Sequence, residues 1–311
     1  MNARRLFALG IVLTAWAVSA ASADPFRAIE PRRFDPIEIE IGEASALIFR
    51  GAIAAAPPDE DFGGFSGLER MEDGSFVAIS DRAVWLRFKL LLREGRLAGL
   101  SNMAVAPLRD AAGRRASGEG WDAEGLAFGP DGRLWASFER DHRLVAFKTP
   151  GAPAGEEARL PEWKEFSLNG GMEALATTPD GRRLAVRESA DGDAFGGYLL
   201  GEAAERFAIA RDGPYAPTGA DFGPEGRLYL TERAFSFFGG FRFRLRRFDE
   251  VSGGATLSGE TLLELPSQSL IDNIEGVSVW REGGRTYLLL VSDDNFMALQ
   301  RNVFALFEVV D

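Results

Sequence analysis

Short apolar runs, each followed by an acidic–glycine turn, recur five times along the chain. In every copy a residue at the start of the run, here called the lead residue, precedes the acidic turn residue by seven positions. The copies follow one another at intervals of 45 to 58 residues, a spacing typical of one supersecondary unit per repeat. The lead residues are Ser66, Glu124, Glu173, Thr218 and Glu275.

The apolar runs within the repeats have the character of buried strands. Residues 76–79 and 288–291 show no polar alternation, which favours strands covered on both faces, and no long helical period competes with them. In the second copy we predict four strands, at residues 125–128, 133–138, 142–148 and 163–168. The Pro and Gly of its turn, residues 129–132, suit a tight turn between the first two.

Four short strands per repeat predict an all-β fold, a single β-propeller with five blades. Six blades are an alternative if residues 24–60 and the longer inserts supply more strands. The last copy has room for only three strands, so a strand from the amino-terminal part of the chain, within residues 37–41 or 46–54, is expected to close the propeller.

The first 23 residues predict a signal peptide. Arg4 and Arg5 precede an apolar stretch over residues 6–18, and Ala21-Ser22-Ala23 forms a small-residue cleavage site. A membrane anchor fits less well, because the apolar run is short and no charge cluster follows it. Residues 24–311 would then form the propeller domain, periplasmic or secreted, and the two arginines leave twin-arginine export open.

Charge and cysteine content exclude several classes of function. Without the signal peptide, 33 basic residues face 47 acidic ones, a net charge of −14, which disfavours nucleic acid or an anionic membrane as partner. The chain has no cysteine, which excludes disulfides and thiolate chemistry. We therefore expect a monomer that acts on a small molecule.

Equivalent positions of successive blades form rings around the channel of a propeller, so the lead residues should share one axis. A second acidic position follows fifteen residues after the lead in three copies, at Asp81, Glu139 and Glu188. In the other two copies Glu232 and Asp293-Asp294 are the nearest candidates. Arginines stand next to these acids in the sequence and are candidate substrate-binding residues: Arg82, Arg140, Arg187 and Arg233.

Converging carboxylates repel one another unless a cation neutralises them. A hard divalent cation, Ca²⁺ above all, accepts six to eight oxygen ligands in loose geometry. We predict as ligands Glu124, Glu173, Glu275, Ser66, Thr218, Asn273, Asp81 and Glu139. Glu124, Glu173 or Glu275 would also be the catalytic general base for water attack on an ester. The alternative is structural: such acids also hold neighbouring blades in register by accepting backbone hydrogen bonds.

Other catalytic schemes find little support. His142 is the only histidine, and its position between Asp141 and Arg143 near a blade turn favours a surface side chain over a member of a catalytic triad. No nucleophile elbow, phosphate-binding loop or dinucleotide fingerprint occurs.

The chain resembles the phytase-like β-propeller family of exported bacterial proteins over about residues 60–311. The resemblance rests on five segments: Phe65-Ser66-Gly67-Leu68 with Ile79-Ser80-Asp81-Arg82, Asp122-Ala123-Glu124-Gly125-Leu126 with Phe138-Glu139-Arg140, Gly171-Met172-Glu173-Ala174-Leu175, Thr231-Glu232-Arg233, and Asn273-Ile274-Glu275-Gly276-Val277 with Ser292-Asp293-Asp294-Asn295. It implies a propeller with a divalent-cation site and hydrolytic activity. Alkaline propeller phytases have a lysine-rich mouth, whereas this chain has three lysines, which argues against phytate as substrate.

Three hypotheses follow. The first is a periplasmic hydrolase that cleaves a phosphoester or carboxyl ester with the help of a divalent cation at the channel mouth. The second is a propeller that binds a ligand or partner without catalysis. The third is similarity to the lactonases built on calcium propellers.

Overall fold

The structure is a computed structural model that describes residues 24–30, 33–42, 45–237, 240–266, 269–271, 273–294 and 301–310. The predicted signal peptide, residues 1–23, lies outside the described residues. Within these ranges no helix is both long and apolar enough to cross a membrane.

Strands dominate the described part of the chain, with two short 3-10 helices at Glu119–Trp121 and Pro161–Glu165. In chain order the strands are β1 (Arg27–Ala28), β2 (Phe34–Ile37), β3 (Leu47–Ala55), β4 (Phe65–Arg70), β5 (Phe76–Ser80), β6 (Val84–Arg93), β7 (Arg96–Pro107), β8 (Ala123–Phe128), β9 (Leu134–Phe138), β10 (Arg143–Phe147), β11 (Ala154–Ala158), β12 (Met172–Thr177), β13 (Arg183–Asp191), β14 (Ala194–Leu200), β15 (Ala204–Ala210), β16 (Ala216–Phe222), β17 (Leu228–Ser236), β18 (Gly240–Phe248), β19 (Thr256–Leu257), β20 (Glu260–Leu265), β21 (Ile274–Glu282), β22 (Arg285–Ser292) and β23 (Asn302–Val309).

The strands form five sheets, which are the blades of a five-bladed propeller. Blades 1 to 4 run outward from the axis as β4-β5-β6-β7, β8-β9-β10-β11, β12-β13-β14-β15 and β16-β17-β18-β20, and blade 5 begins with β21-β22-β23. The inner strands β4, β8, β12, β16 and β21 contact one another in turn, and β21 closes the ring on β4. The predicted all-β propeller with five blades is confirmed.

The amino-terminal part of the chain completes the last blade. Strand β3 pairs antiparallel with β23, and β2 adds an outermost strand to β3. This arrangement confirms the predicted closure by an amino-terminal strand and identifies residues 47–55 as the strand that joins the carboxyl-terminal one. The two parts of the chain are thereby held in one sheet by backbone hydrogen bonds.

The acidic–glycine turns join the first and second strands of each blade. Their glycines all have positive φ, between 58° and 86°, a conformation that a residue with a Cβ atom rarely adopts: Gly74, Gly132, Gly181, Gly226 and Gly283. This requirement explains why glycine follows the acid in every copy.

A second glycine requirement arises where the inner strands approach one another. A Cβ atom on Gly125, directly after the lead residue Glu124, would lie 2.8 Å from the carbonyl oxygen of Glu173 and 2.7 Å from the Cβ atom of Leu175. Both neighbours belong to the next inner strand. The glycine after the lead residue therefore lets the inner strands form a narrow ring.

The fourth strand of blade 2 differs from the prediction. It is β11, whereas the predicted segment 163–168 contains the end of a 3-10 helix, in which Trp163 is fully buried. Strand β11 is the exposed outer edge of its sheet, so its sequence carries glutamates and no apolar run. Trp163 packs with Leu144 and Tyr198 in the core between blades 2 and 3. It is apolar because it is buried there, although it does not belong to a strand.

The hydrophobic core lies between the blades. For example, Leu184 and Val186 of blade 3 pack with Leu228 and Leu230 of blade 4. Each sheet is covered on both faces, and the two runs without polar alternation, residues 76–79 in β5 and 288–291 in β22, are buried throughout, as the sequence predicted. Radial packing of this kind fixes the inner strands, and with them the side chains that face the axis.

Candidate functional site

Four of the five lead residues meet at one end of the channel. Ser66, Glu124, Glu173 and Glu275 line a single cavity of about 400 Å³, here called the mouth. Thr218 is not among the lining residues. Its hydroxyl is fully buried and donates to the carbonyl oxygen of Ile274 at 2.7 Å, so it links blade 4 to blade 5 instead.

A second layer of side chains surrounds the lead residues, at the end of the second strand of each blade. In four blades the backbone N–H of an acid donates to the carbonyl oxygen two residues before the lead residue, at 2.8 to 3.2 Å. This repeated hydrogen bond holds the four acids at the mouth: Asp81, Glu139, Glu188 and Asp293. In blade 4 the equivalent residue is Arg233, which pairs with Ala216 in the sheet.

The prediction that Glu232 occupies the acidic position of blade 4 is wrong. Successive side chains of a strand point to opposite faces, so Arg233 at the mouth directs Glu232 away from it. Glu232 is fully buried and accepts hydrogen bonds from Nε of Arg244 at 2.7 Å and Nε of Arg246 at 2.9 Å. It therefore belongs to a structural ion-pair network.

The side chains of the mouth are all polar and mostly acidic. Eight carboxyl groups face two guanidinium groups, so the cavity is strongly negative when all groups are ionised. The lining residues are Ser66, Asp81, Asp122, Glu124, Glu139, Arg140, Asn169, Glu173, Glu188, Arg233, Glu275 and Asp293. The sequence pattern did not predict Asp122 or Asn169 as lining residues. The position of Asp122, two residues before a lead glutamate, is a signal from which its place at the mouth could have been predicted.

Apolar side chains close the channel beneath the acids. The residues that follow the lead glycine position on the five inner strands surround a void of only about 10 Å³: Leu68, Leu126, Leu175, Ala220 and Val277. The mouth is therefore a cup lined by polar side chains, and the apolar residues that close the channel below it form its floor. A floor of low dielectric disfavours ionised carboxylates that lie against it.

The pKa values of the acids reflect this environment. Burial raises the pKa of Glu124 well above its usual range, and the charges of Glu173 and Glu275 add to the effect. Burial likewise raises the pKa of Glu173, with Glu188 as the next cause. For Asp81, burial followed by the charge of Asp293 raises the pKa to about 7. Several of these groups thus hold protons near neutral pH unless a cation replaces them.

Arg233 neutralises one side of the mouth. Its guanidinium donates to Glu275, to the amide oxygen of Asn273 at 2.9 Å and to Glu188 at 3.3 Å. Burial raises the pKa of Glu275 to about 8, although Arg233 opposes the shift. Asn273 is a predicted metal ligand, but its amide nitrogen donates to the carbonyl oxygen of Asp293 at 2.9 Å, and the residue does not line the mouth.

Five of the eight acids form two candidate cation sites in blades 2 and 3. Carboxylate oxygens lie within 4.8 Å of one another in the group of Asp122, Glu124 and Glu139 and in the group of Glu139, Glu173 and Glu188. Glu139 belongs to both. Three closely spaced carboxylates with room for water match the ligand preference of a hard divalent cation.

Glu124 and Glu173 have no hydrogen-bond or ion-pair partner among the described residues, yet their exposed fractions are only 9% and 4%. Burying a carboxylate without a partner is costly. Their unpartnered oxygens, aimed into the cup, are therefore the best indication in this part of the chain that a ligand completes the site. Glu139, by contrast, accepts a hydrogen bond from the backbone N–H of Gly171 at 3.1 Å.

The four predicted substrate-binding arginines separate into two groups. Arg140 and Arg233 line the mouth, and Asp122 holds Arg140 through a hydrogen bond from Nε at 2.9 Å. Arg82 and Arg187 are not among the lining residues. The guanidinium of Arg187 stacks 3.9 Å from the ring centre of Phe166 instead, and Arg82 is exposed.

The expectation of a surface histidine is wrong. His142 is buried, and its Nε2 atom lies 2.9 Å from the carbonyl oxygen of Ser167. A Cβ atom on Gly171 would lie 2.8 Å from its Nδ1 atom and 2.9 Å from Cγ of Glu139, so the ring packs directly behind the second layer of the mouth. Burial lowers the pKa of His142, which favours the neutral ring.

Comparison with known proteins gives a family and distant structural likenesses. The family model described as "Phytase-like: Esterase-like activity of phytase" matches residues 60–296. No curated protein matches the sequence.

Among solved structures, the chain is similar to the PQQ-bound aldose sugar dehydrogenase from Streptomyces coelicolor, with 17% identity, 85% of this chain and 98% of that chain covered, and a TM-score of 0.46. It is also similar to virginiamycin B lyase from Staphylococcus aureus, with 11% identity, 88% and 95% covered, and a TM-score of 0.42. Neither likeness carries information about activity.

Proposed function

The chain belongs to the phytase-like family, described by its esterase-like activity, and from this premise we propose that it hydrolyses a phosphoester or carboxyl ester at the mouth with the help of a divalent cation. The observation that carries the proposal is the pair of buried, unpartnered glutamates, Glu124 and Glu173, within two groups of closely spaced carboxylates.

The proposed cation is bound by Asp122, Glu124 and Glu139, or by Glu139, Glu173 and Glu188, with water and Ser66 able to add further oxygens. Ca²⁺ fits best because it accepts an all-oxygen shell of loose geometry. Bound there, the cation would polarise the ester and favour ionisation of a water molecule.

The protein groups supply the remaining chemistry. If the cation takes the group of Asp122, Glu124 and Glu139, Glu173 stays next to it without a partner. Burial raises the pKa of Glu173, which increases its affinity for a proton, while a cation bound next to it would favour the ionised form that can accept a proton from attacking water. Glu173 is therefore the proposed general base.

The two arginines of the mouth are proposed to orient the substrate. Arg140 lines the cavity with Nε bound to Asp122 and Nη1 3.7 Å from Glu119, and its guanidinium can donate to an ester or phosphate oxygen. Arg233 is largely committed to Glu275 and Glu188, so its proposed role is to keep that side of the cup neutral.

The decisive test is the double variant Glu124→Gln and Glu173→Gln, assayed with 4-nitrophenyl phosphate, 4-nitrophenyl acetate and a lactone, in Ca²⁺ and after chelation. We expect a loss of at least about 100-fold in kcat/KM for the substrate that the wild type hydrolyses, because both a cation ligand and a base are removed. The matched control is Glu72→Gln, an exposed acid near the turn between β4 and β5 at the other end of the channel.

Full activity of the double variant would refute the proposal. No turnover by the wild type with any divalent cation, together with saturable binding of one of these compounds, would favour the binding-only alternative. Preference for the lactone over both aryl esters would favour the lactonase alternative.

A further inference from the structure

The most exposed large apolar side chains of the described residues lie on the mouth side of the propeller. Leu168, Phe235, Phe237 and Leu270 have exposed fractions of 65%, 63%, 87% and 53%. The other exposed large apolar residues reach at most 49%. We call these four residues the apolar rim. Large apolar side chains that stay exposed beside a cavity mark a candidate binding surface.

Each rim residue is tied to the mouth through the chain. Leu168 directly precedes Asn169, which lines the cavity. Phe235 follows the lining residue Arg233 by two positions on β17 and so lies on the same face of that strand. Leu270 lies in the connection that enters β21, three residues before Asn273, the hydrogen-bond partner of Arg233.

Phe235 and Phe237 stand on a hairpin that rises beyond the second layer of the mouth. Strand β17 continues for three residues past Arg233, whereas β5 and β9 end just before their acids, Asp81 and Glu139. Phe235 pairs with Phe241 across the hairpin, with ring centres 4.9 Å apart. This tilted ring pair holds an apolar surface above the cup at a defined position.

The polarity of the cup determines what the rim can contact. All twelve residues that line the mouth are polar or charged, so an apolar part of a substrate gains nothing by entering it. An ester with an apolar group would place its carbonyl or phosphoryl oxygens in the cup and its apolar group against the rim. A cup with eight carboxyl and two guanidinium groups also disfavours a highly anionic substrate.

We propose that the apolar rim binds the apolar group of the ester, so that the substrate class is an ester of an alkyl or aryl acid or alcohol, an amphiphile with one cleavable head. That the substrate is an ester rests on the proposed function, whereas binding of an apolar group beside the mouth can be tested separately. Partial cover of a methylene group gains roughly twofold in affinity, so four added methylenes gain on the order of tenfold.

The first arm of the test measures kcat/KM for 4-nitrophenyl acetate, butyrate and hexanoate. We expect an increase on the order of tenfold from acetate to hexanoate in the wild type. In the rim variant Leu168→Ser, Phe235→Ser and Phe237→Ser the increase should fall to about twofold or less. The matched control is Leu91→Ser with Leu92→Ser, whose side chains are exposed at the end of β6 opposite the mouth.

The second arm measures binding of the N-methylamides of the same three acids by saturation-transfer NMR, because these neutral analogues have no cleavable ester. The wild type should bind the hexanoyl amide more tightly than the acetyl amide, and the rim variant should not distinguish them. This result supports the rim even if no ester is hydrolysed, in which case the proposed function alone fails.

Three outcomes overturn the inference. One is equal chain-length dependence of the wild type and the folded rim variant in both arms. Another is the absence of any chain-length dependence in the wild type. The last is binding of the wild type, but not of the rim variant, to vesicles of neutral phospholipid without a chain-length effect, which would make the rim a lipid contact.

Discussion

Replacing Asp81 by Asn should stabilise the metal-free protein at alkaline pH and leave it unchanged in acid. Asp81 lies in the second layer of the mouth, where burial and the charges of Asp293 and Asp122 raise its pKa to about 7 from an ordinary value of 3.8. The folded protein therefore holds a proton that the unfolded chain has already released. Between these two pKa values, the free energy of unfolding falls as the pH rises.

The magnitude follows from the difference between the two pKa values. Each tenfold difference in proton affinity corresponds to about 1.4 kcal/mol, so ionising Asp81 in the folded state costs up to about 4 kcal/mol by pH 8. Asn keeps the size and the polar character of the side chain without the charge. Below about pH 4 both states bind the proton, and the variant should match the wild type.

Urea unfolding of chelator-treated protein between pH 4 and pH 8.5 measures this effect. We expect the Asp81→Asn variant to exceed the wild type by about 2 to 4 kcal/mol at pH 8, which corresponds to roughly 5 to 15 °C in Tm. The matched control is Asp131→Asn. Hydrogen bonds and the charge of Arg133 lower the pKa of Asp131, so this variant should lose stability at pH 8.

Equal pH dependence of the wild type and Asp81→Asn would refute the reasoning about the cup. Saturating Ca²⁺ provides a second check, because a cation at the mouth should restore much of the alkaline stability of the wild type. The loss of alkaline stability that Ca²⁺ does not reverse is expected to come from Glu69 and Asp221, which lie at the other end of the channel. Burial raises the pKa of both, and the charge of Asp221 adds to the effect on Glu69.

Three further predictions concern the structural parts of the site, each measured by the urea midpoint. Arg233→Met should cost about 3 kcal/mol at pH 8 and less at pH 5, where Glu275 can take up a proton, and adding Glu275→Gln should restore stability; equal losses at both pH values would contradict this. Glu232→Gln should cost about 3 kcal/mol or more, because two buried guanidiniums lose their shared partner; a neutral result would refute the network. Gly125→Ala should cost about 2 kcal/mol through its contact with the next inner strand, whereas Ala174→Gly at the matching position should cost about 1 kcal/mol.

At the lower end of the channel, two acids have the structural role that the sequence left open for the repeated acids. Three residues after the lead, Glu69 accepts the backbone N–H of Phe128 in the next blade at 3.3 Å. Asp221 accepts that of Val279 at 2.6 Å. These acids hold neighbouring blades in register. The lead glutamates Glu124 and Glu173 have no such partner among the described residues, which distinguishes them from Glu69 and Asp221.

The sequence alone determined the propeller, the number of blades and the residues that begin each inner strand. These features repeat along the chain because the blades meet the same local conditions: all five have a glycine with positive φ at the turn, and four have a glycine where inner strands touch, with Ala174 in its place in blade 3. A requirement that recurs in each unit is visible as a spacing, without knowledge of what lies next to it in space. The placement of Glu124, Glu173 and Glu275 on one axis follows from the same spacing.

Only the tertiary structure decided which side chains face the mouth and which form hydrogen bonds with neighbouring residues instead. Glu232 and Arg233 are adjacent in sequence, but their side chains point to opposite faces of the strand, and only the face of Arg233 lines the mouth. Thr218 and Asn273 each form a hydrogen bond with a residue of another blade, and neither side chain lines the cup. Spacing fixes a position along a strand, but the face a side chain takes and the partner it meets depend on sheet register and on residues distant in the chain.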